Sequence, residues 1–392
     1  MAKNKDQKIE KILSKGVEKI FPNSQSLEEI LKSGKKIRLY SGIDPTGPLH
    51  LGHLAVLKKL RQFQDLGHEV IILIGDFTAT IGDPSGKLSA RKPLSRQEVL
   101  ENAKNYKKQI GRILDLQKSN TKFLYNEEWI NKLKPVDLLK IFSHFNVARL
   151  LERDMFQERI KAGKNILLHE FIYPVFQAYD SLVMGVDLEV GGNDQTFNML
   201  MGRDLMKKIK NKEKLVMTLK LLTDPTGKKM GKTEGNLIAL KDSPKEMFGK
   251  IMAWPDSLIG LGFELLTDIS LKEIKSVLKS PREAKAELAK EIVSLCHDKN
   301  SAKIAEKEFT KVFKEKKLPT KIPEFKLSKK RLSLLDLLIK INLSPSRSQS
   351  KRLVLQGGVK IDGKICQDWQ EIVQIEKGMI VQVGKRNFTK II

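Results

Sequence analysis

Tyr40-Ser-Gly-Ile-Asp-Pro-Thr-Gly-Pro-Leu-His-Leu-Gly-His53 is the stretch on which the fold turns. An apolar run, residues 37–41, leads into it and Gly and Pro break the chain; Leu54, Leu57, Leu60 and Phe63 then recur at helical spacing up to Gly67, where a helix would end. A second apolar run, residues 70–74, follows. Strand, helix, strand predicts a right-handed parallel unit, and with it an α/β fold whose sheet is covered on both faces. Such a strand-to-helix junction gathers free backbone N–H groups and the positive end of a helix dipole, which makes it an anion site. Gly52 would let a ligand approach the backbone closely, and His50 and His53 share one side of the first turn, from which both can donate to phosphate oxygens. Two histidines merely satisfied at a helix start would leave the same trace. A zinc pair would need further ligands, and His68, His144, His169 and His297 form no cluster with Cys or acid.

The same alternation continues to about residue 242, with helical stretches at 97–116 and 136–151 and a second glycine-rich turn at Gly191-Gly192. Residues 1–35 read as a Lys-rich helical lead-in. Residues 243–327 are helical in pattern almost throughout, with Pro319 and Pro323 marking a linker near their end. Residues 328–392 form a tail with 13 basic and 5 acidic residues, the densest positive charge in the chain. Three domains are expected: 1–242, 243–327 and 328–392.

The whole chain has 392 residues, with 72 Lys+Arg against 47 Asp+Glu, a net charge of +25 that points towards a polyanionic partner. Hydrophobic residues at 40% and charged residues at 30% describe a globular protein, not a disordered one. Cys296 and Cys366 supply neither a disulfide framework nor a metal knuckle, which suits a reducing compartment. The charged N-terminus lacks the apolar stretch of a signal peptide, and no run approaches the ~18 apolar residues of a membrane span, so a cytoplasmic protein is expected.

Two further segments carry the means to hold an anion. Gly82-Asp-Pro-Ser-Gly-Lys-Leu-Ser-Ala-Arg91 approaches a phosphate-binding loop but has Leu88 where Ser or Thr would follow the lysine; Lys87 and Arg91 are still spaced to face one anion. Lys228-Lys-Met-Gly-Lys-Thr-Glu-Gly-Asn236 is a basic, glycine-bearing loop able to fold over a triphosphate. Alone, each would pass for an ordinary turn with solvated charges.

Together these motifs resemble a known family. His50-Leu-Gly-His53 is similar to the HIGH motif of class I aminoacyl-tRNA synthetases, and Lys229-Met-Gly-Lys-Thr233 to their KMSKS loop. Tyr40-Ser-Gly-Ile-Asp-Pro-Thr, Gly82-Asp-Pro-Ser-Gly, Tyr173-Pro-Val-Phe-Gln-Ala-Tyr-Asp180 and Gly191-Gly-Asn-Asp-Gln195 resemble the bacterial tyrosyl-tRNA synthetases in order along the chain. The resemblance implies a Rossmann-like parallel-sheet catalytic domain, then a helical domain on the anticodon side of tRNA, then a small α+β domain. It implies catalytic roles for Thr46, His50, His53, Lys87, Arg91, Lys229, Lys232 and Thr233. Tyrosine would be held by Tyr40 and Asp180 at its phenol, by Tyr173, Gln177 and Asp83 at its ammonium, and by Gln195 near its carboxyl. ATP or the adenylate would meet Gly42, Asp44, Gly52, Gly192, Asp194 and Lys232. A buried phenol needs an acceptor and a donor, and Tyr173, Gln177 and Asp180 at i, i+4 and i+7 share a helix face, so the residues themselves suit these roles. Glu189 and Ser41 depart from one branch of the family, which has Gln and Cys there.

In the tail, Ser346-Arg-Ser-Gln-Ser-Lys-Arg352 followed by Gly357-Gly358 resembles the S4 RNA-binding domain, with Arg347, Lys351 and Arg352 close to one helical face that suits a phosphate backbone. Lys207, Lys208, Lys210, Lys212 and Lys214 would be a second tRNA footprint or a solvated face. The resemblance further implies a homodimer, the partners ATP, L-tyrosine and tRNA(Tyr), Mg²⁺ arriving with ATP, no permanently bound cofactor and no dedicated metal site.

Overall fold

Six strands form the main sheet: β1 (Val17–Phe21), β2 (Arg38–Ile43), β3 (Glu69–Ile74), β4 (Thr121–Tyr125), β5 (Leu188–Gly192) and β6 (Leu215–Leu219). They lie in the order β1-β6-β5-β2-β3-β4. The computed structural model describes residues 2–85, 94–223, 237–313, 322–327, 329–384 and 387–392, and the chain separates into two compact units, Met1–Ala302 and Lys303–Ile392.

Strands β2 to β6 run parallel to one another, as the strand-helix-strand reading requires. The helix between β2 and β3 is Leu51–Asp65. Its Leu54, Leu57, Leu60 and Phe63 are wholly buried, each worth about 1.5–3 kcal/mol against exposure, and the chain leaves it through Gly67 at φ +79°. Val17–Phe21 is not helical: it is an edge strand antiparallel to β6. Glu18 and Lys19 are exposed while only Ile20 is buried, so it has no apolar run to announce it, and its charges discourage further pairing at the edge.

Each predicted central helix is two helices. The 97–116 stretch holds Arg96–Ala103 and Tyr106–Ile110, and the 136–151 stretch holds Pro135–Phe142 and Val147–Leu151. Asn146 starts the last of these by accepting from the Ala148 N–H.

From β2 the chain moves outward through β3 and β4, then returns to the other flank of β2 as β5 and β6. This reversal opens a crevice beyond the C-terminal ends of β2 and β5, the place where open parallel sheets bind ligands. The helix Leu168–Met184 packs on the helix Thr196–Lys210 through Val175, Ala178, Leu182, Met201 and Leu205, all buried.

In the second unit, β7 (Glu324–Phe325), β9 (Val359–Ile361), β10 (Lys364–Ile365), β12 (Ile380–Val383) and β13 (Asn387–Ile391) form a sheet ordered β10-β9-β12-β13-β7, while β8 (Arg331–Ser333) pairs with β11 (Ile372–Gln374). Helices Leu334–Lys340 and Arg347–Leu355 bury Leu334, Leu337, Leu338 and Val354 against Val359 and Val381. Glu324–Phe325, which the sequence pattern put with the helical segment, is a strand of this sheet; two residues are too few to show a period.

Candidate active site

His50 is the N-cap of the helix Leu51–Asp65. Its Nδ1 accepts from the Gly52 N–H at 3.1 Å, and His53 Nδ1 accepts from the His50 N–H at 3.2 Å. Two imidazoles thus cap the helix reciprocally, in the manner usually left to Ser and Glu. With both Nδ1 atoms accepting, both rings carry their proton on Nε2. Burial lowers His50 to about 4, and burial together with the neighbouring His50 lowers His53 to about 3. Near pH 7 they are neutral N–H donors. A Cβ on Gly52 would lie 2.9 Å from His50 Cε1, so this glycine also makes room for the imidazole that caps the helix.

Three hydrogen-bonded groups gather around β2 to β5, and the polar face of the helix Leu168–Met184 enters the first two. In the first, the Tyr173 hydroxyl donates to Asp44 Oδ2 at 2.8 Å and Thr78 Oγ1 donates to Asp44 Oδ1 at 2.8 Å. Asn126 donates to Thr78 Oγ1 at 3.1 Å and to Asp180 Oδ2 at 3.2 Å, and Trp129 Nε1 donates to Asp180 Oδ1 at 2.8 Å. Burial pushes the Asp180 carboxyl well above its usual range, while its hydrogen bonds from Trp129 and Asn126 favour the ionised form. Asn126 and Trp129 stand just past β4, a strand that the sequence reading passed over and the two residues with it.

In the second group, the Tyr40 hydroxyl lies 2.9 Å from Ser181 Oγ, Lys214 Nζ donates to Ser181 Oγ at 3.0 Å and to Glu189 Oε2, and Gln177 Nε2 donates to Glu189 Oε1 at 3.0 Å. Because Glu189 can only accept, the Gln177 amide must turn its nitrogen to it and keep its oxygen for another donor. Tyr40 and Lys214 are fully buried. In the third group, Gln195 Nε2 donates to Asp83 Oδ2 at 2.7 Å, the Ser85 hydroxyl donates to Asp83 Oδ1 at 2.7 Å, and Arg153 Nη2 donates to Ser85 Oγ at 2.6 Å.

Thr46 follows the β2 terminus with its N–H on the Asp44 carbonyl at 2.8 Å. Tyr106 and Asn102 fasten the same loop from outside, through the carbonyls of Gly47 and Pro45. Gly42 is exposed at the end of β2, Gly192 ends β5, and Asp194 sits in the short turn Asn193–Gln195 that follows. Lys87, Arg91, Lys229, Lys232 and Thr233 lie outside the described residues. The chain that follows the last of them is anchored at the histidines: Leu51 N–H donates to the Ile238 carbonyl at 3.2 Å and Leu240 N–H to the Leu49 carbonyl at 2.8 Å.

The lysine cluster divides: Lys207, Lys208 and Lys210 are exposed, Lys212 is half-buried and Lys214 is buried. Lys214 is buried in the pocket network, whereas Lys210 and Lys212 donate to the carbonyls of Leu182 and Gly185 at 2.7 Å, and Lys208 donates to that of His144 at 2.8 Å. These carbonyls close helices, where cations are favoured. In the second unit, Arg347 Nη1 pairs with Asp336 at 2.8 Å, Lys351 Nζ lies 3.9 Å from the Trp369 ring centroid, and Arg352 is exposed. Among the described residues, no three His, Cys, Asp or Glu side chains are grouped to hold a metal, and no helix is long and apolar enough to cross a membrane.

A parallel sheet with a histidine-capped helix start at its switch point and buried, hydrogen-bonded polar side chains around its strands is the catalytic architecture of the class I aminoacyl-tRNA synthetases. Residues 32–314 match the family model "tRNA synthetases class I (W and Y)", and residues 313–391 match "Tyrosine--tRNA ligase SYY-like C-terminal domain". The tyrosine–tRNA ligase of Carboxydothermus hydrogenoformans is 45% identical over 399 residues, spanning 97% of each chain. That of Thermotoga maritima is 43% identical over 390, spanning 97% of this chain and 96% of its own. The chain belongs to the tyrosine–tRNA ligase family. Among solved structures, the C-terminally truncated mitochondrial tyrosyl-tRNA synthetase of Coccidioides posadasii aligns at a TM-score of 0.65 and 23% identity over 78% of this chain and 94% of its own. The Archaeoglobus fulgidus tyrosyl-tRNA synthetase complexed with L-tyrosine aligns at 0.60 and 23%, over 77% and 99%. At that identity the likeness speaks to the fold.

Proposed function

We propose that the crevice between β2 and β5 is where this ligase activates its amino acid. The reaction is that of its family: tyrosine and ATP give tyrosyl-adenylate and pyrophosphate, and tyrosine then passes to the 3′ end of tRNA(Tyr). The tyrosine carboxylate is ionised at neutral pH and is itself the nucleophile at the α-phosphate, so no general base and no covalent enzyme intermediate are needed. Catalysis is then positioning and stabilisation of phosphate charge.

Asp180 accepts the phenol proton of the substrate and Tyr40 completes the hydroxyl's hydrogen bonding. Tyr173, Asp83 and the Gln177 amide oxygen take the ammonium, with Gln195 beside the carboxyl. Neutral His50 and His53 offer Nε2–H to the phosphates, aided by Thr46 and by Gly52, while Gly42, Asp44, Gly192 and Asp194 receive the ribose and adenylate. Lys87, Arg91, Lys229, Lys232 and Thr233 complete the triphosphate site. Ile238 and Leu240 are hydrogen-bonded to the histidine turn, which supports assigning the motif just before them to the same anion. Mg²⁺ accompanies ATP on its phosphate oxygens, and no permanent cofactor is assigned.

Residues 1–242 would then be the catalytic domain, 243–327 the anticodon-side domain, and 328–392 an RNA-binding module contacting tRNA through Arg347, Lys351 and Arg352. We assign a homodimer in the cytoplasm. The observation that carries the reading is that Tyr173, Gln177 and Asp180, from one helix face, meet Asp44 after β2, Glu189 in β5 and Asn126 after β4. Tyrosine-dependent ATP–pyrophosphate exchange tests it, with phenylalanine and tryptophan as controls. Exchange driven equally well by either control would refute it.

A further inference from the structure

Beneath the pocket lies an ion pair that stability does not explain. Lys214 is 0% exposed and its partner Glu189 2%. Buried pairs of this kind are often replaceable by apolar residues without loss, and this one also constrains its surroundings: a Cβ on Gly202 would lie 2.7 Å from Lys214 Nζ and 2.9 Å from Ser181 Oγ.

We propose that Lys214, acting through Ser181, fixes the Tyr40 hydroxyl as a hydrogen-bond donor to the phenolic oxygen of tyrosine, which makes Lys214 and Ser181 positioning residues for amino-acid selection. This rests on Tyr40 and Asp180 bracketing the phenol. Both Asp180 oxygens already accept, from Trp129 and Asn126, which favours the ionised carboxylate, so Asp180 faces the phenol as an acceptor and receives its one O–H hydrogen bond. The phenol oxygen must then accept, and Tyr40 must donate. A Tyr40 that donates to substrate can only accept from Ser181, 2.9 Å away. Ser181 gives its proton to Tyr40 while its own oxygen takes one from Lys214 at 3.0 Å. Glu189 competes for both hydroxyls, its Oε2 3.5 Å from Ser181 and its carboxylate also facing Tyr40, but it already receives Lys214 and Gln177. Glu189 neutralises the lysine and, through Gln177, ties the same network to the ammonium end of the pocket. The hydrogen bonds therefore run one way, from Lys214 through Ser181, Tyr40 and the phenol to Asp180.

Four variants of the full chain test this in ATP–pyrophosphate exchange with tyrosine and with phenylalanine, each checked by thermal melting. E189Q/K214Q removes the charges but keeps an amide N–H for Ser181; E189Q/K214M has the same charge and no donor; S181A breaks the relay and leaves the ion pair intact; Y40F removes the hydroxyl itself. S181A and E189Q/K214M are expected to raise KM for tyrosine about tenfold and to lower the tyrosine-to-phenylalanine ratio of kcat/KM about as much, with kcat within about twofold. E189Q/K214Q should stay within about threefold of the parent. A folded S181A with parental KM and ratio, while Y40F lowers the ratio, overturns the inference and spares the pocket. Methionine and glutamine variants that behave alike would overturn it too, and should the double variants not fold, S181A decides. If Y40F leaves the ratio unchanged, the pocket assignment falls and takes the inference with it.

Discussion

Replacing Asp180 by asparagine should separate amino-acid selection from stability. In the folded protein Asp180 is 2% exposed, and burial raises its carboxyl well above the usual range. The sign follows: a folded-state pKa above the unfolded one means that the ionised carboxylate costs stability at pH 7, and Asp180→Asn removes that cost. Against this, the new amide must face Asn126 Nδ2, now 3.2 Å from Oδ2. Asn126 cannot turn over to help, because its oxygen accepts from the Phe77 N–H at 3.0 Å and its nitrogen donates to Thr78 at 3.1 Å. Each opposing effect is about 1–3 kcal/mol, so the net change should stay within about 2 kcal/mol. Function has no such offset. A hydrogen bond from the phenol to a carboxylate is worth about 1.5–3 kcal/mol, so KM for tyrosine should rise about 10- to 150-fold. Phenylalanine, which offers the parental carboxylate no hydroxyl, should be activated better than before. Pyrophosphate exchange with both amino acids, beside urea unfolding of the same preparations, measures all three quantities. A well-folded variant with parental KM for tyrosine would show that Asp180 does not meet the phenol.

Acid should weaken the fold through the histidine pair. Their folded pKa values, about 4 and about 3, lie below the unfolded 6.5, so the stability they contribute is complete above about pH 6.5 and is lost as pH falls towards 4. For His50 alone the loss from pH 7.5 to 5 is about 2 kcal/mol; urea unfolding at the two pH values should show it, and His50→Asn, which keeps a cap, should reduce it. Gly202→Ala should cost about 1–3 kcal/mol, because its Cβ would meet Lys214 and Ser181 below 3.0 Å; an unchanged melting temperature would disprove the crowding. A chain ending at residue 314 should keep tyrosine activation and lose tRNA charging in a salt-dependent way. Full charging by that chain would remove the tail from tRNA binding.

Read alone, the sequence determined the β2–helix–β3 unit, the histidine turn and the two glycine turns. These are local features: a period of 3.6 or an apolar run bounded by glycine is written within a dozen residues. It also placed Tyr173, Gln177 and Asp180 on one helix face, because i, i+4 and i+7 need no distant partner. Only the tertiary structure decided what those residues touch. Tyr173 meets Asp44 129 positions away, and Tyr40 meets Ser181 141 away. Val17–Phe21 became a strand because β6 offered an edge, not because of its own pattern. The clearest case is the surplus charge. In sequence, residues 207–214 are a run of lysines with nothing to tell one from another. In the fold, Lys210 and Lys212 reach helix-closing carbonyls and Lys214 turns inward to Glu189. Net charge is a sum over residues, but whether a given ammonium belongs to solvent, to a helix end or to a buried pocket depends on which acceptors the fold brings within 3 Å of it.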